Sequence, residues 1–273
     1  MKPTVTFTMA APHVAKIMLN RPDARNAQND QLTYELNACF DRAAHDDDVK
    51  VILLGGEGPH FSSGHDLRGK PTDAPRIGTW GQPAEGGIHG LYNREREVYL
   101  DMCRRWRDLP KPTIAMVQGK TIAGGLALAW VCDIIIASED ASFVDPVVGW
   151  GVAGIEYFGH PYELGIRKAK ELLFTADWWS AEDALKLGMV NHVVPRDELE
   201  AFSLAMAERI AQKPMMALRF VKQMVNVAQD NQGMRSTMET TFALHHICHA
   251  QVSERTRERA EAEASRERVS SDA

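Results

Sequence analysis

Several features are scarce in this chain of 273 residues, and each absence excludes a class of protein. The four cysteines are scattered and form no C-x-x-C pair, which favours free thiols in a reducing compartment over a disulfide framework. Basic residues number 31 against 37 acidic ones, and the resulting net charge of −6 argues against a general nucleic-acid or membrane-surface binder. No apolar run is long enough to span a bilayer, and the N-terminus lacks the apolar core of a signal peptide. We therefore expect a soluble cytoplasmic protein.

Several common catalytic motifs are missing as well. The sequence has no G-x-S-x-G elbow, no P-loop and no G-x-G-x-x-G, and Ser62 and Ser63 have no evident base partner. His245 and His249 in "HHICH" have the i, i+4 spacing of a metal-binding pair. A third ligand and a general base are absent from that motif, so a role at a helix interface is favoured. We expect neither a metal nor a resident cofactor.

Strand and helix patterns alternate in the first two thirds of the chain. "TVTFTM" and "HVAKIML" alternate apolar and polar residues, which predicts a hairpin. "NDQLTYELNACFDRAAHDD" has helical spacing and can be capped by Asn29 or Asp30. "VKVILLGG", "PTIAMVQG" and "DIIIAS" are apolar runs typical of buried strands, and "IAGGLALAWVC" predicts a buried helix that begins at its glycines. This order predicts an α/β core.

The remaining segments are of two kinds. Residues 69–90 are rich in glycine and proline and predict a long surface loop, followed by a helix in "LYNREREVYLDMCRRWRDL". After Pro195 the chain contains three amphipathic helical segments, more than one domain needs to cover itself, and then a charged tail. We predict a core over residues 1–195 and a helical oligomerisation region over residues 196–273.

Two glycine-bearing elbows follow two of the predicted strands. "FSSGHD" comes after "VKVILLGG", and "GKTIAGGLALAWVCD" comes after "PTIAMVQ". A sharp turn into a helix leaves backbone N–H groups unpaired, and glycine lets a ligand approach them closely. Each elbow alone is typical of an ordinary turn. Together they predict two N–H donors aimed at one point, which is an oxyanion hole.

Several segments, in order, resemble the crotonase or enoyl-CoA hydratase/isomerase superfamily over roughly residues 5 to 250. They are "VAKIMLNRPDARNAQ", "VKVILLGGEGPHFSSGHDL", "KPTIAMVQGKTIAGGLALAWVCDIIIASEDASF" and "LFTADWWSAEDALKLGMVNHVVP". The resemblance implies an α/β fold made of a stack of β-β-α turns, with a helical C-terminal region that packs between subunits. It also implies an acyl-CoA substrate, with coenzyme A as part of that substrate, and a homotrimer or a dimer of trimers.

The resemblance further implies roles for the elbow residues. The first oxyanion donor would be the N–H of His65, which follows Gly64, and the second would be the N–H of Gly124. These donors would hold a thioester carbonyl as it becomes enolate-like, and the backbone rather than the histidine ring would do the work. Ser63 and Asp66 are expected beside the substrate, with Asp66 mainly shaping the turn.

Two arginines are candidates for contact with the phosphates of coenzyme A. Arg68 comes just after the first elbow, where the family often has a basic residue. Arg25, in "RPDARNA", is a second and weaker candidate of the same kind. The alternative for both is a solvated surface arginine.

The sequence departs from the family at the two glutamates that hydratases use for the acid and base steps. Ala127 and Val147 occupy the matching positions, and neither side chain can exchange a proton. The best remaining carboxyl is Glu156 in "IEYFGHP", whose apolar neighbours would bury it, unless it points to solvent or pairs with Arg167. Asp145 is a second candidate, because it lies two residues before Val147 and residues two apart on an extended segment point to the same face. The alternative is an aspartate that only caps the turn before Pro146.

His160, in the same segment, is a further polar candidate for the pocket, although it may only bond to the backbone. Together these residues favour an acyl-CoA thioester enzyme of the enoyl-CoA hydratase/isomerase type. Its reaction could be isomerisation, thioester hydrolysis or another enolate reaction. The alternative is a binding protein that keeps the oxyanion hole but has lost catalysis.

Overall fold

The computed structural model describes residues 2–67 and 87–271, with side chains described as far as residue 256. The strands are β1 Val5–Ala11, β2 Val14–Leu19, β3 Val51–Gly56, β4 Thr113–Val117, β5 Lys120–Ile122, β6 Ile134–Ser138, β7 Ser142–Val144, β8 Trp179–Ser180 and β9 His192–Val194. The helices are α1 Asp30–His45, α2 Gly87–Glu95, α3 Met102–Arg107, α4 Gly124–Trp130, α5 His160–Leu164, α6 Ile166–Thr175, α7 Ala181–Leu187, α8 Leu199–Ala211, α9 Met215–Asn231 and α10 Met234–Ser271.

A six-stranded sheet in the order β1-β2-β3-β4-β6-β9 forms the centre of the fold. The predicted hairpin is confirmed, since β1 and β2 pair antiparallel, and the remaining neighbours pair parallel. Every residue of β3 and of β4 is buried, which explains why these strands are continuous apolar runs in the sequence.

A second sheet, β5-β7-β8, lies alongside the first and gives the fold its repeating unit. β4 and β6 are neighbours in the large sheet, while β5 and β7, which follow them in the chain, pair in the small one. Helix α4 then follows β5 directly. This stacking of strand-strand-helix turns confirms the predicted fold class.

Polar side chains cap the N-termini of two helices. The Asn29 side chain accepts a hydrogen bond from the Leu32 N–H at 2.9 Å and caps α1, as predicted. Ser180 and Asp183 form a reciprocal capping box at the start of α7. These caps satisfy donors that a helix cannot pair internally.

The helix that precedes β4 differs from the prediction in two ways. It begins at Gly87, so the last four residues of the predicted loop over residues 69–90 are helical, and residues 68–86 lie outside the described part of the chain. A π-helical turn, Arg96–Asp101, joins α2 to α3. Such a turn accommodates one residue more than the α-helical period, which the periodicity of the sequence does not reveal, and π-helical turns often occur at functional sites.

The three helices after Pro195 have different surroundings. α8 packs Met206 and Ala207 against one face of the large sheet, next to Leu53 and Ile114. α9 exposes much of its apolar surface, whereas α10 buries Phe242 in the main core. The division at residue 195 stays a prediction, and α8 is part of the packing around the sheet.

In the described ranges, no helix combines the length and the apolar composition needed to cross a bilayer.

Candidate active site

The two glycine elbows touch each other. Gly64 has a φ of +82°, which only glycine adopts readily, and a Cβ atom added there would lie 2.6 Å from the Ile122 carbonyl oxygen and 3.1 Å from the Gly124 nitrogen. Ala123, just before α4, has a φ of +46° although it is not glycine. Such strain persists only where the surrounding structure enforces it, and it often marks functional sites.

The backbone N–H groups of His65 and Gly124 are left unpaired by the local hydrogen bonds of their elbows. The Gln28 N–H donates to the Gly64 carbonyl at 2.8 Å, and the Asp66 N–H donates to the Gln28 carbonyl at 2.9 Å. In such a parallel bridge the N–H of the intervening residue, His65, faces the opposite side. Gly124 is the first residue of α4, so its N–H has no acceptor inside the helix. Two backbone donors are therefore available beside one another.

A cavity of about 520 Å³ opens beside the elbows. Its walls come from the elbows, from α2 and the π-helical turn, from the segment after β7, and from α10. Residues that line it include Ser63, His65, Asp66, Ile122, Ala123, Arg94, Glu95, Tyr99, Val147, Ile155, Glu156, His245 and His249.

The ring of His65 is part of this cavity, which the sequence-based expectation of a purely backbone role missed. It stacks on Tyr99 with 3.5 Å between ring centroids, and a Cβ atom at Gly124 would lie 2.4 Å from its Nε2. The same Nε2 lies 3.6 Å from Glu156 Oε2. Burial lowers the pKa of His65 to about 3, against the opposing effect of the Glu95 charge, so the ring is neutral and the contact is no ion pair.

Glu156 lies at the centre of the polar part of the cavity. Its residue is 2% exposed, with Ile155 and Tyr157 buried on either side, as the sequence predicted. Its carboxyl faces His65 and His245, whereas Arg167 is exposed, so the alternatives of a solvent-facing group or an Arg167 pair are wrong. Burial, with the nearby Glu95 charge, raises the pKa of Glu156 to about 8.

His245 on α10 lies between two buried carboxyl groups. Its Nδ1 is 2.7 Å from the Gly154 carbonyl oxygen, and its Nε2 is 3.5 Å from both Glu95 Oε2 and Glu156 Oε1. Burial disfavours the charged ring, but contact with Glu95 and the Glu156 charge outweigh burial and raise the pKa of His245 to about 9. Burial likewise opposes ionisation of Glu95, yet the neighbouring histidines keep its pKa below the usual value.

Arg94, Glu95 and Tyr99 were not among the predicted site residues. They belong to "NREREVYLD", whose charges are typical of a solvated helix. Arg94 pairs with Asp30, its Nε donating to Oδ1 at 3.0 Å. The only sequence signal for these site residues was a run of charged residues next to predicted core positions. Such a run does not show which of its charged residues are buried.

The prediction that Asp145 and His160 belong to the pocket is wrong, because neither is among the described residues that line the cavity. His160 Nε2 lies 3.0 Å from Asp145 Oδ2 in a buried pair, and Asp145 Oδ1 accepts the Val147 N–H at 3.3 Å. The His160 ring packs edge-on against Trp130. Residues two apart on an extended segment would share a face, but a 3₁₀ turn, Val147–Trp150, begins here and separates Asp145 from Val147.

The two positions that carry glutamates in hydratases also differ from each other. Val147 lines the cavity, so an apolar side chain stands where a hydratase has an acid or base. Ala127 is buried in the main core.

The other predicted binding residues have mixed positions. Ser63 and Asp66 line the cavity, and Asp66 Oδ2 accepts a hydrogen bond from Arg21 Nη2 at 2.8 Å, which suits a role in shaping the turn. Arg25 is exposed, and its carbonyl accepts the Ser63 N–H at 2.9 Å. Arg68 lies outside the described residues.

The stacked strand-strand-helix turns and the paired elbows define a crotonase-type protein. The family profile described as enoyl-CoA hydratase/isomerase matches residues 10–263, and the chain belongs to that family. This family is enzymatic, so the chain is an enzyme of the hydratase/isomerase family.

Several similar proteins come from mycobacteria. EchA13 of Mycobacterium tuberculosis, whose name assigns it provisionally to the enoyl-CoA hydratases, is 42% identical over 254 residues, covering 89% of this chain and 79% of that protein. A probable enoyl-CoA hydratase of Mycobacterium thermoresistibile has a crystal structure with a TM-score of 0.84, 45% identity, and coverage of 92% of this chain and 98% of that one. A Mycobacterium smegmatis counterpart has a TM-score of 0.84, 46% identity, and coverage of 91% and 94%.

Proposed function

We propose that this enzyme removes a proton from the carbon next to the carbonyl of an acyl-CoA thioester. The N–H groups of His65 and Gly124 would hold the enolate that forms. The observation that carries this proposal is the contact between the elbows, in which a Cβ atom on Gly64 would lie 3.1 Å from the Gly124 nitrogen. Donors that are already in place stabilise the charge that develops on the oxygen at no cost of reorganisation.

Glu156 is the group that moves the proton in this proposal. Its carboxyl lies near the second elbow, because His65 Nε2 is 3.6 Å from Glu156 Oε2 and would be 2.4 Å from a Cβ atom added to Gly124. A single carboxyl can take a proton from one carbon of the acyl chain and return it to another. The favoured reaction is therefore a shift of a carbon–carbon double bond, that is, isomerisation of an enoyl-CoA.

Hydration is the second candidate, because the similar proteins are named as hydratases. Adding water across a double bond needs one group that activates water and one that protonates carbon. Val147 and Ala127 supply neither, so Glu156 and a neighbour such as His65 would have to take over both roles.

A substrate panel distinguishes these candidates. Purified enzyme is assayed with 3-enoyl-CoA and 2-enoyl-CoA thioesters of several chain lengths, while acyl-CoA affinity is measured by calorimetry. We expect double-bond migration, with hydration of crotonyl-CoA slower by at least ~10²-fold than an ordinary hydratase achieves. Hydration at ordinary rates would favour the second candidate, and an absence of acyl-CoA affinity would contradict both.

In this proposal, coenzyme A belongs to the substrate and is no resident cofactor. The acyl chain would enter the cavity between Tyr99, Val147 and Ile155, which are apolar or aromatic. Arg25 and Arg68 remain candidates for the phosphates of coenzyme A. Replacing either with glutamine should raise the KM for an acyl-CoA more than it lowers kcat, since the phosphates are remote from the chemistry.

We further propose that the chain assembles as a homotrimer or a dimer of trimers through the helices after residue 195. Support comes from α9, where Met216, Phe220, Val221, Met224 and Val225 are each more than half exposed. Contiguous apolar surface of this kind is typical of interfaces. Light scattering at micromolar concentration tests the proposal, and a monomeric mass would contradict it.

A further inference from the structure

Glu95, Glu156, His245 and His249 line the cavity on the side here called the rear wall. Three of these side chains form a polar cluster that takes no part in the proposed oxyanion hole. Glu95 from the end of α2, together with His245 and His249 from α10, brings three potential ligand atoms within 4.8 Å of one another. Glu95 Oε2 lies 3.5 Å from His245 Nε2 and 3.9 Å from His249 Nε2. These separations exceed the usual hydrogen-bond length of about 2.7–3.2 Å.

Two of these atoms are buried without a partner. Glu95 Oε2 and His245 Nε2 have no hydrogen bond to any described residue, and the two side chains are 8% and 5% exposed. A buried polar atom without a partner is costly, and a bound water or ion commonly satisfies such an atom. The two atoms lie 3.5 Å apart, so a single ligand bound to both would satisfy them.

The spacing of the three atoms suits a shared metal ion. Zinc binds histidine nitrogen and carboxylate oxygen at about 2.0–2.2 Å in a tetrahedron, so its ligand atoms lie roughly 3.4 Å apart. The Glu95–His245 distance of 3.5 Å is close to this value. His249 Nε2 is farther away, at 3.9 Å from Glu95 Oε2, and its side chain is 27% exposed.

The orientation of His245 is also that of a metal ligand. Its Nδ1 lies 2.7 Å from the carbonyl oxygen of Gly154, which can only accept a hydrogen bond. In the neutral ring the proton is therefore on Nδ1, and the lone pair of Nε2 faces Glu95. A hydrogen bond of this kind from the distal nitrogen orients metal-binding histidines in many proteins.

We propose that Glu95, His245 and His249 bind one divalent transition-metal ion of the Zn²⁺ type, with a remaining coordination position open to the acyl cavity. Two imidazoles and one carboxylate suit zinc, cobalt or nickel better than magnesium or calcium, which prefer all-oxygen sites. Glu156 Oε1 lies 3.5 Å from His245 Nε2, so the ion would be next to the proposed proton carrier. The ion site does not depend on the proposed reaction.

The competing arrangement has no metal. In it, a protonated His245 is held between the carboxylates of Glu95 and Glu156, and His249 only borders the pocket. The two arrangements differ in a measurable way, because the first requires a stoichiometric ion whose affinity depends on His249.

The test uses the full chain, stripped of metal with a chelator and titrated with Co²⁺ and Zn²⁺. We expect one ion per chain, with visible Co²⁺ absorption of a four- or five-coordinate site. His249→Ala and the isosteric Glu95→Gln should each weaken binding by at least ~100-fold, as loss of a ligand should cost no less than loss of an outer-shell partner. His192→Ala, at an exposed histidine of β9, is the matched control and should leave affinity unchanged.

Two results would overturn the proposal. One is the absence of stoichiometric binding, and the other is binding that survives both ligand substitutions, which would place the ion on other residues, such as the buried His246. Should Glu95→Gln fail to fold, the part-exposed His249→Ala decides the matter alone. Acyl-CoA affinity is measured with chelator present, so failure of the metal site is distinguishable from failure of the oxyanion hole.

Discussion

The elbows and the rear wall of the cavity are built in opposite ways. The elbows offer backbone N–H groups, and their geometry depends on Gly64, Ala123 and Gly124 in two short segments. The rear wall offers side chains of Glu95, Glu156 and His245, which come from three elements far apart in the chain. A site made of backbone tolerates few residue types, whereas a site made of side chains depends on how the elements pack.

The largest effect is expected at the first elbow. Gly64→Ala places a Cβ atom 2.6 Å from the Ile122 carbonyl and forces the elbows apart. Because misalignment disables an oxyanion donor, we expect the turnover of the true substrate to fall by ~10²–10³-fold.

A matched control separates this effect from simple backbone strain. Gly188 also has a positive φ, of +79°, but an added Cβ would meet nothing within 4 Å. Gly188→Ala should therefore cost some stability and leave turnover intact. Equal losses of turnover in the two variants would argue against a role for the elbow in catalysis.

The next effect is expected in the rear wall. Glu156→Gln keeps the shape of the side chain but removes its ability to accept a proton, so kcat should fall by at least ~10²-fold with little change in acyl-CoA affinity. Glu163→Gln is the control, because burial also raises the pKa of Glu163, to about 7, yet this residue faces a different cavity. Steady-state kinetics check both variants, and unaltered kcat in Glu156→Gln would show that another group carries the proton.

A smaller effect is expected at His65, where a substitution distinguishes the contribution of the backbone N–H from that of the imidazole ring. His65→Ala retains the N–H donor but removes the stack on Tyr99 and the neighbour of Glu156. We expect kcat/KM to fall about tenfold, the equivalent of one net hydrogen bond. A loss beyond ~10³-fold would mean that the ring itself transfers the proton, and the contrast between the two regions would then be weaker.

The smallest effect concerns the attachment of α10. Glu239 accepts hydrogen bonds from Arg96 and Arg104; the Arg96 bond, against the effect of burial, lowers the pKa of Glu239 to about 2. Since this is below the usual value of 4.5, the pair stabilises the fold above pH 4.5 and loses that contribution as pH falls toward 2.

Glu239→Gln tests this pair by urea unfolding at several pH values. The carboxylate is about half exposed, so the loss of unfolding free energy at pH 7 should stay below ~1 kcal/mol. The difference from the unaltered protein should shrink between pH 4.5 and pH 3. A difference that grows with acidity would contradict the assignment.

The sequence by itself determined strands β1, β2, β3, β4 and β6, the starts of α1 and α4, the elbows and the buried setting of Glu156. Each depends on neighbouring residues: alternating or continuous apolar runs, the Asn29 cap, glycines after strands, and apolar residues beside a carboxyl. These are local preferences that operate before any distant contact forms.

Only the tertiary structure decided which charged groups share the cavity. The π-helical turn and the path of α10 bring Glu95 to His245, although both lie in segments that resemble solvated or interface helices. The 3₁₀ turn after Pro146 similarly turns Asp145 away to pair with His160, against the expectation from an extended segment. Side-chain meetings of this kind depend on packing between distant elements, and the period of a helix or strand carries no information about them.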